Sequence, residues 1–227
     1  MKAVILVGLI VALLSYSLLR RATAQKTPTT ATDVLRSRPG WKNLPASFLD
    51  ALAGKLETSA KASEFAKLCE DTGILKNNIS RLARFASGTD APETAADAQR
   101  WVEFAVSAVA ATLTDYAGAM MEREQLQEAK QGLELSLLLK PRQFNAWSSM
   151  ALVASHTGDC KTAVFWADKF LTDKPDPASS DPWERAAADF MTAQGNRKME
   201  EELGPDVIRA ARAIREEMER IRRTCRK

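Results

Sequence analysis

The stretch that decides the fold is residues 144–177, FNAWSSMALVASHTGDCKTAVFWADKFLTDKPDP, together with the equally long stretch before it, residues 110–143. LLLKP ends at Pro141 and LTDKP ends at Pro175, so one pattern recurs from the first stretch to the second. A fixed period of about 34 residues is typical of stacked helical repeats. When the two stretches are aligned, residues of similar size pair: Leu113 with Trp147, Tyr116 with Met150, Ala117 with Ala151, Ala129 with Ala163 and Leu137 with Leu171.

The two units resemble the tetratricopeptide repeat (TPR) family, whose unit is a helix, a turn and a second helix. Both units match the family's bulky residue at position 4, its bulky and small pair at positions 7 and 8, its Ala at position 20 and its Pro at position 32. Gly158 and Asp159 occupy the turn positions of the second unit, whereas Glu124 replaces the glycine in the first. The resemblance implies that alanines lie where the two helices of a unit cross.

Helical patterns also flank the two units. Residues 91–121 contain no helix breaker after Pro92, which predicts a first helix that begins well before the unit. Residues 181–196 match the first helix of a third repeat unit, which a three-residue insertion shifts from the 34-residue period. The last residues predict a terminal helix that caps the stack, or alternatively pairs with a second copy, through an apolar stripe of Val207, Ala211, Ile214, Met218, Ile221 and Cys225.

Composition agrees with a helical fold. The chain is rich in Ala, Leu, Lys and Glu, and it has few Tyr residues and few β-branched runs after residue 20. We therefore expect an all-α, TPR-like solenoid preceded by a hydrophobic N-terminal helix. The expected organisation is a signal anchor or signal peptide at 1–24, a linker with three prolines at 25–45, an N-terminal helical segment at 46–90 and the TPR-like domain with its capping helix at 91–227.

The N-terminal residues 3–19 are uncharged and apolar, AVILVGLIVALLSYSLL, and would span about 25 Å as a helix. This pattern predicts a single-pass membrane anchor. The alternative is a cleaved signal ending at ATA, 22–24, which would give a periplasmic or secreted protein. Lys2 precedes the apolar run, whereas Arg20, Arg21 and Lys26 follow it, and this distribution favours a body on the cytoplasmic side.

The sequence offers little for catalysis or metal binding. Cys69, Cys160 and Cys225 lie too far apart for a zinc motif or a disulfide framework, so we expect single thiols. A lone disulfide would instead favour an exported body. His156 is the one histidine of the sequence, and no phosphate-binding loop, GxSxG, HExxH or CxxC motif occurs. The prediction is therefore a non-enzyme without cofactor or metal.

Function is then expected at a surface. Without Lys2, Arg20 and Arg21 the chain has 29 basic and 29 acidic residues, so nucleic acid is not an expected partner. TPR proteins bind an extended peptide or a helix in a groove lined by their first helices. Carried over by position, the resemblance implies a groove of Thr114, Gly118, Met121, Glu122, Asn145, Ser148, Leu152, Ser155, His156, Glu184, Ala188 and Met191.

The predicted function is a membrane-tethered, TPR-like adaptor or scaffold that binds a protein or peptide partner. The alternative is a self-assembling scaffold of the cell envelope or membrane, a homo-oligomer held together through the C-terminal helix. The two differ in the use of Ile214 and Met218, since only the second requires them at an interface between copies.

Overall fold

The computed structural model describes residues 30–42, 44–73, 95–173 and 205–226, without the side chains of residues 95, 97 and 205–208. The regular structure within these ranges is helical, which confirms the all-α prediction for this part of the chain. A short 3-10 turn covers Pro39–Trp41. The helices are α1 (Ala31–Ser37), α2 (Ala46–Leu56), α3 (Ser59–Thr72), α4 (Ala95–Glu122), α5 (Leu126–Leu139), α6 (Phe144–His156), α7 (Cys160–Thr172) and α8 (Pro205–Cys225).

Two predicted segments lie outside the described residues. These are the N-terminal hydrophobic segment at 1–24 and the first helix of the predicted third unit at 181–196. The second of them carries the predicted groove residues Glu184, Ala188 and Met191. The last 17 residues of the N-terminal helical segment, 74–90, also lie outside them.

Residues 31–41 belong to the folded body, so the predicted linker over 25–45 is wrong there. Thr30 and Asp33 form a capping box that starts α1, because each side chain accepts a hydrogen bond from the other residue's backbone N–H. α1 then buries Leu35, and the buried Trp41 packs edge-to-face against Phe65 of α3 with ring centroids 5.6 Å apart. The large apolar area removed from water explains why this segment is folded.

A first core joins the N-terminal helices to the first repeat unit. Side chains of α1, α2 and α3 pack with those of α4 and α5 in one cluster that includes Leu35, Phe48, Phe65, Leu113 and Leu139. The predicted boundary between an N-terminal segment and a repeat domain therefore does not separate two cores. The N-terminal helices instead pack against α4 and α5 of the first unit.

The first helix of the first unit, which we predict to begin well before residue 110, is α4, and it has 28 residues. It buries one stripe along its length: Val102, Ala105, Val106, Val109, Ala110, Leu113, Ala117 and Met120. Phe104 of the same helix is 54% exposed. Residues 98–122 are long and apolar enough to cross a membrane by length and composition. In the folded chain, however, this helix packs against α2, α5 and α6.

Candidate partner-binding surface

Helices α4 to α7 form two hairpins whose turns have the same geometry at equivalent repeat positions. Glu124 and Gly158 both have positive φ, 60° and 76°. The Gln125 N–H donates to the Met120 carbonyl at 2.9 Å, and the Asp159 N–H donates to the Ala154 carbonyl at 2.9 Å. The period of the sequence is therefore also a period of the backbone.

Small residues lie between the two helices of each hairpin. Ala117 and Ala129 of the first hairpin, and Ala151 and Ala163 of the second, are completely buried. Small side chains at such points let two helix axes approach closely. The first hairpin is especially tight at Gly132, where a Cβ atom would lie 3.0 Å from the Tyr116 ring and 3.3 Å from the Leu113 carbonyl oxygen.

Seven predicted groove residues of α4 and α6 have accessible side chains or backbone. Glu122, Asn145 and His156 are exposed, and Gly118, Met121, Leu152 and Ser155 are half-buried. We call these seven residues the partner surface. The helices that carry them, α4 and α6, contact each other. A Cβ atom built on Gly118 would meet no atom within 4 Å, so the space beside its backbone is open.

Two predicted groove residues need correction, because Thr114 and Ser148 are only 5% and 6% exposed. The Thr114 hydroxyl lies 2.9 Å from the Ser136 hydroxyl of α5, which donates to the Ala110 carbonyl at 2.7 Å. The Ser148 hydroxyl donates to the Asn145 carbonyl at 3.0 Å. Their hydroxyls are thus buried and hydrogen-bonded within the chain, so these two residues do not belong to an accessible surface.

The hydroxyl of Ser136 belongs to a buried polar network that the sequence did not reveal. Gln143, which precedes α6, donates from Nε2 to the Ser136 hydroxyl at 2.8 Å and to the Ser136 carbonyl at 3.1 Å. The network connects α4, α5 and the start of α6, which fixes the second hairpin against the first. Buried polar groups of this kind are stable only when their hydrogen bonds are made.

The C-terminal helix α8 packs on the second hairpin. Met218 and Ile221 are buried against four alanines that we call the alanine face: Ala151 and Ala154 of α6 with Ala163 and Ala167 of α7. Ile214 of the same predicted stripe is 41% exposed.

A disulfide joins α7 to α8, so the expectation of single thiols is wrong for two of the three cysteines. Cys160, the first residue of α7, is bonded to Cys225, the last residue of α8, with their Cα atoms 5.0 Å apart. Asp168 of α7 forms ion pairs with Arg222 at 3.8 Å and with Arg226. Cys69 is a buried free thiol, and its burial raises its pKa far above the usual range.

His156 lies at the exposed end of α6, on the partner surface. One ring nitrogen is 2.9 Å from the Leu152 carbonyl oxygen. Glu217 of α8 lies close enough to His156 for an electrostatic interaction. The hydrogen bond from Arg220 is the main cause that lowers the pKa of Glu217, and the interaction with His156 lowers it further. Within the described ranges, no group of three or more His, Cys, Asp or Glu residues is placed to hold a metal ion.

Comparisons with known proteins identify no relative of this chain. No family model, no curated protein and no solved structure matches the chain. The residues of the two hairpins and of α8 are therefore the basis for a functional proposal.

Proposed function

We propose that this chain is a membrane-tethered, TPR-like adaptor that binds a protein or peptide partner along α4 and α6 without catalysis of its own. The observation that carries the proposal is the recurrence of the same helix hairpin in two consecutive units, down to the hydrogen bonds of its turn. Equivalent repeat positions then recur on neighbouring helices: Gly118 with Leu152, Met121 with Ser155, and Glu122 with His156. Such pairs of positions form a continuous strip in stacked repeats.

The chemistry of the partner surface suits a peptide. Met121 and Leu152 offer apolar contact, and Glu122, Asn145 and His156 offer polar groups. The open space beside Gly118 lets a partner backbone approach the helix closely. The partner surface contains no Lys or Arg, so an acidic C-terminal peptide is not the partner that it favours.

We further propose that the apolar segment at 3–19 tethers the body to a membrane, with the body outside the cytosol. The Cys160–Cys225 bond supports this orientation, because structural disulfides persist in oxidising compartments. It outweighs the positive charges after the segment, because Arg20, Arg21 and Lys26 bias insertion without forbidding the reverse orientation. A reporter enzyme that is active only outside the cytosol, fused after Lys227, tests this orientation. An inactive fusion that accumulates in the cytosol would overturn it.

The self-assembly alternative is less well supported. It requires Met218 and Ile214 at an interface between copies, yet Met218 is buried against the alanine face of its own chain. Ile214 remains exposed, but one isoleucine is a small contact for a stable dimer. An adaptor that uses α4 and α6 is therefore the function that we propose.

Partner capture by the full-length, tethered chain tests the adaptor function. Proximity labelling is compared between the wild type, Leu152→Asp and Asn145→Arg on the partner surface, and Phe165→Asp as a matched control. Phe165 is 57% exposed on α7, so its replacement changes surface charge outside the partner surface. We expect the same partner to be lost with Leu152→Asp and Asn145→Arg and kept with Phe165→Asp. A partner list unchanged by all three variants would contradict the proposal.

A further inference from the structure

The contact between α8 and the second hairpin runs along one stripe of the helix. Among the described side chains of α8, the buried ones are Ala211, Met218 and Ile221. Only two of these, Met218 and Ile221, are large, and they pack on the alanine face together with the partly buried side chains of Leu152, Trp166, Phe170 and Leu171. The opposite side of the helix, which includes Arg209, Arg212, Glu216 and Arg223, is exposed.

The ion pairs between α8 and α7 add little to this contact. Arg222 and Arg226 both approach Asp168, but the three side chains are 32% to 56% exposed. Ion pairs at such exposure are screened by solvent and contribute little to stability. Holding a helix of 21 residues in one place costs conformational entropy, which the noncovalent contacts and the disulfide offset together.

The disulfide adds a covalent attachment between α8 and α7. It closes a loop between positions 65 residues apart and fixes the end of α8 to the start of α7. Loops of this length gain much from a covalent link, because the link removes many open conformations. Cys160 is exposed and Cys225 is half-buried, so an external thiol has access to the bond.

We propose that the Cys160–Cys225 bond is a redox latch that holds α8 on the alanine face, and that reduction of the bond releases α8 and uncovers that face. Leu152 belongs both to the partner surface and to the side chains packed around the alanine face. Release of α8 therefore also changes the partner surface at Leu152, a consequence that rests on the proposed function. The latch itself does not depend on a partner.

The opening step is a thiol–disulfide exchange with a dithiol reductant. One thiolate of the reductant attacks the exposed Cys160 sulfur, the sulfur–sulfur bond breaks, and Cys225 leaves as a thiolate that takes up a proton. The second thiolate of the reductant then displaces Cys160, which also takes up a proton, and the reductant is left with its own disulfide. Two electrons pass to the protein, and both cysteines end as thiols. Cys69 takes no part, because its buried thiol stays protonated.

Hydrogen exchange read by mass spectrometry tests the latch on the full-length chain in detergent. Exchange is compared between the oxidised protein and the protein reduced with dithiothreitol, after the mass confirms that the bond is open. We expect amides of α8 to exchange at least about tenfold faster after reduction. Amides of α6 should exchange faster as well, whereas those of α2, α3 and α5 should not change. The Cys225→Ser variant should show the same pattern without reductant.

Two further variants show whether the disulfide, and no other contact, holds α8. Cys69→Ala should respond to reductant as the wild type does, since Cys69 is not part of the bond. Asp168→Asn removes the ion pairs but keeps the bond, so its α8 should stay protected in the oxidised state. The latch is overturned if α8 stays equally protected after reduction, if all helices lose protection together, or if Asp168→Asn alone releases α8.

Discussion

Glu124 and Gly158 occupy the same position of two consecutive repeat units, and both adopt the left-handed backbone conformation in the turn of a helix hairpin. The two residues make matching hydrogen bonds: Glu124 N–H donates to the Met121 carbonyl at 3.0 Å, and Gly158 N–H donates to the Ser155 carbonyl at 3.2 Å. Glycine adopts this conformation freely, whereas a residue with a Cβ atom is disfavoured there by about 1 to 2 kcal/mol. The first hairpin thus keeps the turn of the repeat although its sequence opposes it.

Substitutions at these two turns should have opposite effects on stability. Glu124→Gly removes the backbone cost and should raise the free energy of unfolding by about 0.5 kcal/mol, since the added flexibility of the unfolded chain cancels part of the gain. Gly158→Ala should lower it by about 1 kcal/mol, although a Cβ atom there meets no neighbour within 4 Å. Urea unfolding measures both. Gly54→Ala, inside α2, is the control and should stabilise, because its φ is not in the left-handed region.

The buried network around Ser136 should contribute measurably to stability. Ser136→Ala removes the hydroxyl that contacts Thr114, Gln143 and the Ala110 carbonyl. We expect a loss of about 1 to 3 kcal/mol in the free energy of unfolding, because buried polar groups are left unpaired. Ser149→Ala, at a half-buried position on α6, should change it by less than about 0.5 kcal/mol. Equal effects of the two substitutions would show that the network contributes nothing.

The close contact between α6 and α7 should not tolerate a larger side chain. Ala163 is completely buried in the second hairpin and beneath α8. Ala163→Leu should lower the midpoint of thermal unfolding and cost about 1 to 3 kcal/mol, because the helices must separate. Ala213→Leu, at an exposed position of α8, is the matched control and should leave the midpoint nearly unchanged. A neutral Ala163→Leu would mean that the helices are not in close contact there.

Stability should depend on the ionisation of Asp159 in acid. Asp159 caps α7 by accepting a hydrogen bond from the Thr162 N–H at 3.1 Å, and the hydrogen bonds with Thr162 lower its pKa. The folded state therefore favours the carboxylate. Its stabilisation is complete above the ordinary aspartate pKa of 3.8 and is lost as the pH falls through the lowered value.

Asp159→Asn is the variant that shows this dependence, because the amide still caps the helix but does not titrate in this range. The wild type should be the more stable protein at neutral pH, where the carboxylate also interacts favourably with the helix dipole. The difference between the two proteins in urea unfolding should shrink in acid. A difference that is the same at both pH values would contradict the assignment.

The hairpins can be predicted from the sequence because their determinants are local and periodic. Alanines at matching positions, the recurring prolines Pro141 and Pro175, and the Gly158 turn each act within one unit. The capping box of Thr30 and Asp33 is also visible in the sequence, but three nearby prolines favour a linker. The buried Trp41 shows why the linker prediction is wrong, since its partner Phe65 lies in another helix.

The features that the sequence does not reveal depend on contacts between distant residues. Thr114 is buried because Ser136 and Gln143 come close only after α4, α5 and α6 have packed. The bond between Cys160 and Cys225 likewise depends on where α8 docks, which their separation of 65 residues does not reveal. Spacing along the sequence carries no information about such contacts.

The most direct test of the adaptor function is site-specific photo-crosslinking in cells that express the full-length, tethered chain. A photoreactive amino acid replaces Glu122, Asn145 or Ser155 on the partner surface, and Lys161 or Phe165 on α7 as controls. We predict that the same protein is crosslinked from Glu122, Asn145 and Ser155 and is not crosslinked from either control position. Crosslinks that are equally strong from both sets of positions, or that occur only from α7, would contradict partner binding along α4 and α6.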